Sequence, residues 1–497
     1  MLKTIIAKEF LHNILDLRFI VGFVLCIIVT IACIMILAHD YKQEMKDYNA
    51  RVNLEDEILD NYAPAEFDRL FGMVRTQKPP ERFRPLIIGI QGNENVGSFD
   101  DNPLPILFPP LDFLFIVTII MSLLAMLFSH DAIAGERQSG TLRLMISNSI
   151  SRTTILLGKF IGGTTSLIIP FILALLVGVL YISINPAIQW GGSAWTELAL
   201  LTAASITFIT LFYLLGLMIS TFSRYSSISI LNCLFLWVLL ILVIPNVCPY
   251  ISAQFCRIPS IKETERKQDE IKYPALKGAR KHMNEAAKKF KLKYGGLFSE
   301  FESMEFGGIG TWFFLGREAG STHQKAAQQR AEEDPEFKVM MDAFRQEYEM
   351  AMKEFRRILK EAGFDKLGRD LGRKSVVQTK LAKNLACISP FANFVYVARD
   401  LTGTGLRSLK YFEQTKDEYE EQFVSYAEEK ISDARKKNPA IDEEYYLDVS
   451  DRPRFAFKEE PLKGKLGEVL PYWGILVLFN VVFFVAAFAG FMRYDVR

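Results

Sequence analysis

The stretch IAGERQSGTLRLMISNSISRTTILLGK, residues 133–159, decides the fold, because two long apolar runs, 111–129 and 160–184, enclose it. Each run is close to the roughly 20 residues that a helix needs to cross the hydrocarbon of a bilayer. Four of the five charged side chains in the stretch are cationic. A short cationic loop between two spans is retained on the cytoplasmic side. Leu142 and Ile146 recur at helical spacing and predict a short amphipathic helix at the membrane surface.

Apolar runs of this length recur along the chain and predict an all-α integral membrane protein. Hydrophobic residues make up 50% of the 497 residues, and their clustering separates the chain from soluble multidomain proteins of similar length. Six transmembrane helices are predicted, at residues 19–38, 111–129, 160–184, 198–220, 228–247 and 472–492. The first run could instead be a cleaved signal peptide, but it is long for one and lacks a small-x-small site before His39. An uncleaved first span is therefore favoured.

The segments before and after the first span have their own predicted structure. Residues 1–18 are expected to form an amphipathic interfacial helix, since apolar residues recur there at helical spacing. Residues 39–110 are expected to form an extracytoplasmic loop. This loop contains a predicted helix at 41–60 and a predicted short strand at 84–90.

A long hydrophilic insert, residues 249–468, separates the fifth and sixth spans and is predicted to be a mainly helical extracytoplasmic domain. It begins where Pro245 and Pro249 are expected to break the fifth helix. Apolar stripes at steps of three and four residues predict helices that pack on one another within the insert. These stripes lie at residues 276–290, 337–362 and 419–426. The segment 388–405 is moderately apolar, and we expect it to lie on the membrane surface or to dip into it.

The cations of the short loops predict the orientation of the chain. Six spans place both termini on one side, and that side collects Lys3, Lys8, Arg224 and the cations of the 130–159 loop. Short loops rich in Lys and Arg stay in the cytoplasm. We therefore expect a multi-pass protein of the cell (inner) membrane with both termini cytoplasmic.

Signatures of catalysis and of metal or nucleotide binding are missing from the sequence. It contains no G-x-x-x-x-G-K-[ST], H-E-x-x-H or G-x-S-x-G motif, and its five His residues are far apart. We therefore expect a chain that is not an enzyme and has no catalytic, cofactor or metal site. The net charge of +1 and the lack of a dense Lys/Arg tract argue against a nucleic-acid partner. Ionisable residues are rare in the spans, whereas proton- or sodium-driven carriers usually need them there.

The six Cys residues form no C-x-x-C pair, which argues against zinc and redox sites. Cys248, Cys256 and Cys387 would lie outside the cytoplasm in the predicted topology, where one disulfide among them could form. The sequence does not choose the pair, and one of the three thiols would stay free.

The order of motifs in residues 133–159 resembles the cytoplasmic loop of ABC-2 type transporter permeases, the membrane subunits of type V ABC exporters. Members of that family carry Glu-Arg, Gly-Thr-Leu, Ser-Arg and Leu-Gly-Lys in this order. The matching residues here are Glu136, Arg137, Gly140, Thr141, Leu142, Ser151, Arg152 and Lys159. The family often has Pro before Ser-Arg, where this chain has Ile150. The insert between spans 5 and 6 is similar to that of a subgroup with a large extracytoplasmic insert.

The resemblance implies that residues 130–159 form a coupling loop that an ATPase subunit grips. It implies two copies of an ABC ATPase and a second permease subunit, expected to be a homodimer, embedded in membrane lipid. ATP and Mg would bind in the partner ATPase, with no cofactor in this chain. We expect export of an amphipathic or lipid-linked substrate, which the sequence does not identify. The outer insert is expected to cover the exit or to dock an envelope partner.

A second interpretation belongs to another functional class. The chain would be a non-transporting membrane scaffold whose outer helical domain organises envelope proteins. Association with an ATPase, and stimulation of its ATP hydrolysis, would distinguish the permease from the scaffold.

Overall fold

The computed structural model describes residues 2–493 except 66, 75, 90–110, 148–149, 186–187, 189, 305–329, 332 and 439–445. Six helices among the described residues are long and apolar enough to cross a membrane, which confirms the prediction of an all-α membrane protein with six spans. The helices of the first half are α1 (Leu2–Leu15), α2 (Leu17–Tyr62), α3 (Phe67–Met73), α4 (113–129), α5 (Ala134–Ser139), α6 (Thr141–Ser147), α7 (Arg152–Ile184), α8 (Gly192–Phe222) and α9 (Ser226–Phe255). Those of the second half are α10 (Ile261–Tyr294), α11 (Gly296–Met304), α12 (Pro335–Glu361), α13 (Phe364–Ala386), α14 (Pro390–Thr402), α15 (Leu406–Lys437) and α16 (Leu462–Met492). The candidate spans are α2, α4, α7, α8, α9 and α16.

The first span continues without a break into the helix predicted at 41–60, so the expected boundary at residue 39 is absent. The combined helix, α2, has 46 residues. At 1.5 Å per residue it is roughly 70 Å long, which is more than twice the hydrocarbon thickness. No Gly or Pro occurs in residues 39–62, so nothing in the sequence ends the helix after the apolar run.

The strand predicted at 84–90 is replaced by turns at residues 82–86, and residue 90 lies outside the described part of the chain. The carbonyl oxygen of Phe83 accepts hydrogen bonds from the backbone N–H groups of Leu86 and Ile87, at 2.9 and 2.8 Å. This closed turn places all three apolar side chains in the core. Burial here results from a compact turn and not from pairing with a second strand.

Helix α9 continues through Pro245 and Pro249, where the sequence predicted its end. A π-helical segment, Leu239–Val243, precedes the first proline. The side-chain amide of Asn246 donates to the carbonyl oxygen of Leu242 at 2.7 Å. A locally widened helix with side-chain donors can supply carbonyl groups with partners where proline offers no N–H.

Helix α8 is the central element of the part of the chain that contains the spans. It contacts α4, α7, α9, α14 and α16. Its aromatic residues Phe208, Phe212 and Tyr213 are almost completely buried. The two ends of α8 are therefore fixed points to which neighbouring loops can attach.

The chain divides into two compact units. The first consists of Met1–Cys248 and Asn384–Arg497, and the second of Pro249–Lys383. The insert predicted at 249–468 is thus divided between them, because its C-terminal part packs with the span-containing unit. The sequence did not reveal this division, since both parts are hydrophilic and helical.

Helix α14, within segment 388–405, packs among the spans, against α8 and α16. This packing does not fit a position on the membrane surface, and the alternative, that the segment dips into the membrane, stays a prediction. Phe394 and Val397 are completely buried. The ring of Phe394 stacks on Phe208 of α8 with 4.8 Å between centroids. An amphipathic helix suits a membrane surface and a protein interface equally, so only tertiary packing distinguishes them.

The second unit has its own apolar core, which confirms the helix packing predicted from the first two stripes. The core residues are Met283, Ala287, Phe298, Phe301, Ala331, Phe337, Met340, Phe344 and Ala351. The third stripe belongs instead to the first unit. There, Phe423 of α15 packs against Leu59, Leu70 and Val449.

The possible disulfide among Cys248, Cys256 and Cys387 stays a prediction, and the structure shows the surroundings of two of these thiols. Cys248 is buried in a small apolar cluster with Ala386 and Ala392. The Sγ atom of Cys256 lies 3.9 Å from the carbonyl oxygen of Lys374. Cys248 thus packs against apolar side chains, and Cys256 lies near a backbone carbonyl group.

Candidate functional site

The loop between the second and third spans contains two short helices, α5 and α6, joined by Gly140. Gly140 has φ +78°, the left-handed region that favours glycine. The N–H of Gly140 donates to the carbonyl oxygen of Arg137 at 3.3 Å, which ends α5. The Gly-Thr-Leu motif thus forms the corner between the two helices.

The start of α5 is attached to the end of α8, the fourth span. The hydroxyl oxygen of Ser220 accepts hydrogen bonds from the backbone N–H groups of Ile133 and Ala134, at 3.0 and 2.9 Å. These N–H groups have no partner within α5, so Ser220 acts as a cap supplied by another helix. The fourth span therefore fixes where α5 begins.

Arg137 strengthens the same attachment. Its guanidinium donates to the carbonyl oxygens of Ser223 and Thr221 at the end of α8, at 2.9 and 3.0 Å. The last carbonyl groups of a helix lack partners within that helix and carry partial negative charge. Gln138 accepts a longer hydrogen bond, 3.4 Å, from the N–H of Ser226, where α9 begins. Helix α5 is thus connected to the fourth and fifth spans.

Glu136 of α5 and Lys159 of α7 form an ion pair of 2.9 Å. The Lys159 ammonium also lies 3.1 Å from Oε1 of Glu9 in α1. Lys8 adds a 3.4 Å contact to Glu136. Lys159 is only 2% exposed, and a buried charge is tolerated when it is paired. The pairing brings α1, α5 and α7 together around a single ammonium group.

Two glycines allow α1 to lie directly on α7. A Cβ atom on Gly158 would be 2.5 Å from Cγ2 of Ile5. A Cβ atom on Gly162 would be 2.9 Å from Cβ of Glu9 and 3.0 Å from the carbonyl oxygen of Ile6. All three distances are shorter than ordinary van der Waals contact, so the small-xxx-small spacing serves close helix packing. The predicted interfacial helix is therefore bound to the third span along one face.

The Ser-Arg motif connects the loop to the sixth span. The Ser151 hydroxyl caps α7 by accepting from the N–H of Thr154 at 3.2 Å. The Arg152 guanidinium donates to the carbonyl oxygen of Met492, at the end of α16, at 2.6 Å. Ser151 thus caps the start of α7, and Arg152 connects this end of the helix to the last turn of the sixth span.

One face of helix α6 is exposed. Leu142 is completely buried, as the predicted amphipathic helix requires. Thr141 and Arg143 are exposed. Leu144 is 66% exposed, although it is a large apolar residue. Residues two positions apart lie about 200° apart around a helix, which explains why Leu144 points away from the side that Leu142 buries.

The predicted site residues therefore occupy three kinds of position. Glu136, Arg137, Ser151, Arg152 and Lys159 form interhelical contacts or caps, Gly140 and Leu142 shape and bury the corner, and Thr141 is exposed. Sequence reasoning missed Glu9, Ser220 and Leu144. Of these, only Glu9 left a signal, because a carboxylate on the buried side of an amphipathic helix requires a partner.

Comparison with known proteins agrees with this arrangement. The family described as ABC-2 family transporter protein matches residues 3–496. A probable ABC transporter permease protein NosY from Stutzerimonas stutzeri is 47% identical over 47 residues, which is 10% of this chain and 17% of that relative. The protein of the same name from Pseudomonas aeruginosa is 45% identical over 47 residues, with the same coverage. The aligned region thus spans less than a fifth of either relative. The family match extends over nearly the whole chain, and the chain therefore belongs to the ABC-2 family of transporter proteins.

Proposed function

We propose that this chain is the membrane subunit of an ATP-driven exporter and that residues 130–159 couple it to a separate ATPase subunit. The observation that carries the proposal is that the two faces of the loop differ in their contacts. Its exposed face, which includes Leu144, is available for a partner. Its inward face is attached by charged and polar contacts to the ends of three spans and to α1.

The mechanical argument follows these contacts. A push on α6 passes through Gly140 to α5. From α5, the Arg137 contacts lead to the end of α8, and the Glu136–Lys159 pair leads to α7. Arg152 connects α7 to α16. Short caps and ion pairs transmit displacement better than a flexible loop, because they hold the helix ends at fixed distances.

The proposed complex has two copies of this permease, as a homodimer, and two copies of the ATPase. ATP and Mg bind to the ATPase, since this chain contains no nucleotide-binding motif. The complex lies in the inner membrane, with both termini of this chain in the cytoplasm. The proposed substrate is amphipathic or lipid-linked, and the proposed role of the second unit is to dock an envelope partner on the outer side.

Leu144 is the residue on which the ATPase contact can be tested. An apolar residue at the centre of an interface contributes binding energy by losing water, whereas a carboxylate there is costly to bury. Leu144→Asp should reduce recovery of the ATPase with the affinity-purified permease. Leu292→Asp is the matched control, because Leu292 is also apolar and is 89% exposed but lies in the second unit.

The experiment purifies the tagged chain from its native membrane and identifies co-purifying P-loop ATPases by mass spectrometry. ATP hydrolysis by the recovered complex is then compared for the wild-type chain and both variants. Loss of the ATPase in Leu144→Asp alone supports the coupling surface. If the wild-type chain recovers no ATPase and stimulates no ATP hydrolysis, the scaffold interpretation is correct.

A further inference from the structure

A partly open cleft lies in the first unit, away from the coupling loop. It is located beside the first turns of two spans. The Arg82 guanidinium at the cleft donates to Ser193 of α8 at 3.2 Å, and Lys465 of α16 pairs with Glu197 of α8 at 2.9 Å. In the proposed topology these are the outer ends of the fourth and sixth spans.

Five cationic side chains line the cleft, and four of them are neutralised by carboxylates. The four pairs are Lys78 with Glu81 at 2.8 Å, Arg82 with Glu459, Arg407 with Glu460, and Lys465 with Glu197 at 2.9 Å. The fifth cation is Arg399, in the last turn of α14. Among the residues that the structure describes, its guanidinium has no hydrogen bond or ion pair, and its Nε atom is buried without a partner.

Two acids, Asp400 and Asp112, lie near Arg399 without an ion pair to it. The neighbouring residue Asp400 also lines the cleft, and its Oδ1 lies at the start of α15, 2.7 Å from where a Cβ atom on Gly405 would be. Asp112 interacts with Arg399 through charge. Its carboxylate oxygens, however, accept hydrogen bonds from the backbone N–H groups of Phe115 and Ile88, at 2.9 and 3.3 Å. Proximity to the carbonyl end of α14 offsets only part of the cost of enclosing a guanidinium.

The cleft is also lined by proline and aromatic residues, which a site for a simple ion would not need. Pro79, Pro80, Tyr411 and Phe457 line it beside the charged residues. The rings of Tyr411 and Phe457 are 6.4 Å apart. A guanidinium next to an apolar wall suits an oxyanion that is carried on an apolar body.

We propose that this cleft binds an oxyanionic group, such as the phosphate of a lipid headgroup, with Arg399 as its principal contact. The bound oxyanion would pair with Arg399, the lining cation that has no ion pair with a carboxylate among the described residues. The aromatic and proline wall contacts the organic part of the ligand. This inference does not depend on the proposed coupling function, because none of its residues belongs to the 130–159 loop.

Protection from chemical modification tests the site in the wild-type protein. The full chain is purified in dodecyl maltoside, a detergent without phosphate, and treated with phenylglyoxal, and the modification of individual arginines is followed by mass spectrometry. Inorganic phosphate, or phosphatidylglycerol added to the detergent micelles, should slow modification of Arg399. Arg454 is the internal control, because it is exposed in the same unit and does not line the cleft.

Variants provide a second measurement. Arg399→Gln should retain roughly tenfold less phosphatidylglycerol in native mass spectrometry than wild type, and Arg399→Lys should retain an intermediate amount. Arg454→Gln should retain as much as wild type. Protection by phosphate alone identifies a small soluble anion as the ligand, and protection by phosphatidylglycerol identifies a lipid headgroup. Equal modification rates of Arg399 under all conditions would overturn the proposal, whether or not Arg399→Gln folds.

Discussion

The ammonium of Lys159 lies 2.9 Å from the carboxylate of Glu136, although 22 residues of chain separate them. The pair closes the loop on itself, so α5 and α7 meet at its base. Glu9 of α1 shares the same ammonium at 3.1 Å. A displacement of any of these three helices must therefore move the other two or break a buried ion pair.

The first prediction concerns the shared ammonium. Lys159→Met should lower stability by about 3–5 kcal/mol, because it leaves two enclosed carboxylates without their main counter-charge. Thermal unfolding of the detergent-solubilised protein measures the loss as a lower midpoint. Lys46→Met is the control, since Lys46 is exposed on α2. Equal midpoints for the two variants would show that the buried pair adds no stability.

The second prediction separates coupling from stability. Glu136→Gln should fold normally, because Lys159 keeps its contact with Glu9. The variant should still recover the ATPase, yet stimulate ATP hydrolysis severalfold less than wild type, because the connection from α5 to α7 is weakened. Glu285→Gln, on an exposed position of α10, is the control. Unchanged stimulation in Glu136→Gln would mean that the pair does not carry the coupling.

The third prediction tests the packing of α1 on α7. Gly162→Leu should destabilise the protein by about 1–3 kcal/mol, because the backbone carbonyl of Ile6 cannot move aside as a side chain could. The control is Gly474→Leu in α16, where a Cβ atom would meet nothing within 4 Å. Limited proteolysis near residue 16 should also accelerate in Gly162→Leu alone. If both variants resist protease like wild type, α1 is not held by this contact.

The sequence could predict the spans because their signal is local, whereas the site depends on distant residues. An apolar run of sufficient length identifies a membrane helix without reference to other segments. The contact between Glu9 and Lys159 joins residues 150 positions apart, and no periodicity reports it. The same limit applies to α14, whose amphipathic pattern does not distinguish a lipid surface from the faces of α8 and α16.

The fourth prediction concerns orientation. Replacing the six Cys residues gives a background without Cys. Ser147→Cys in α6 and Ser432→Cys in α15 are both at exposed positions. In the proposed topology, a membrane-impermeant maleimide added to intact cells should label position 432 and should reach position 147 only after the membrane is opened. Labelling of both positions from the same side would exclude this topology.

The last prediction concerns the second unit, Pro249–Lys383, which has a core separate from that of the spans. Phe298, Phe337 and Phe344 are buried in that core. Each contributes roughly 1.5–3 kcal/mol by burial, against which the entropy of ordering the chain must be set. We expect residues 260–383, expressed alone, to give a strongly helical circular dichroism spectrum and a cooperative thermal transition.

Phe344→Asp provides the test of specificity for that fragment. It removes a ring that contacts Phe290, Phe298 and Phe301, and it places a carboxylate among apolar side chains. The variant should lose the cooperative transition, whereas Val339→Asp should keep it, because Val339 is 62% exposed on the same helix. A fragment that is unstructured as wild type would show that the unit requires the rest of the chain. A transition that survives Phe344→Asp would show that helix propensity, and not this aromatic core, holds the unit together.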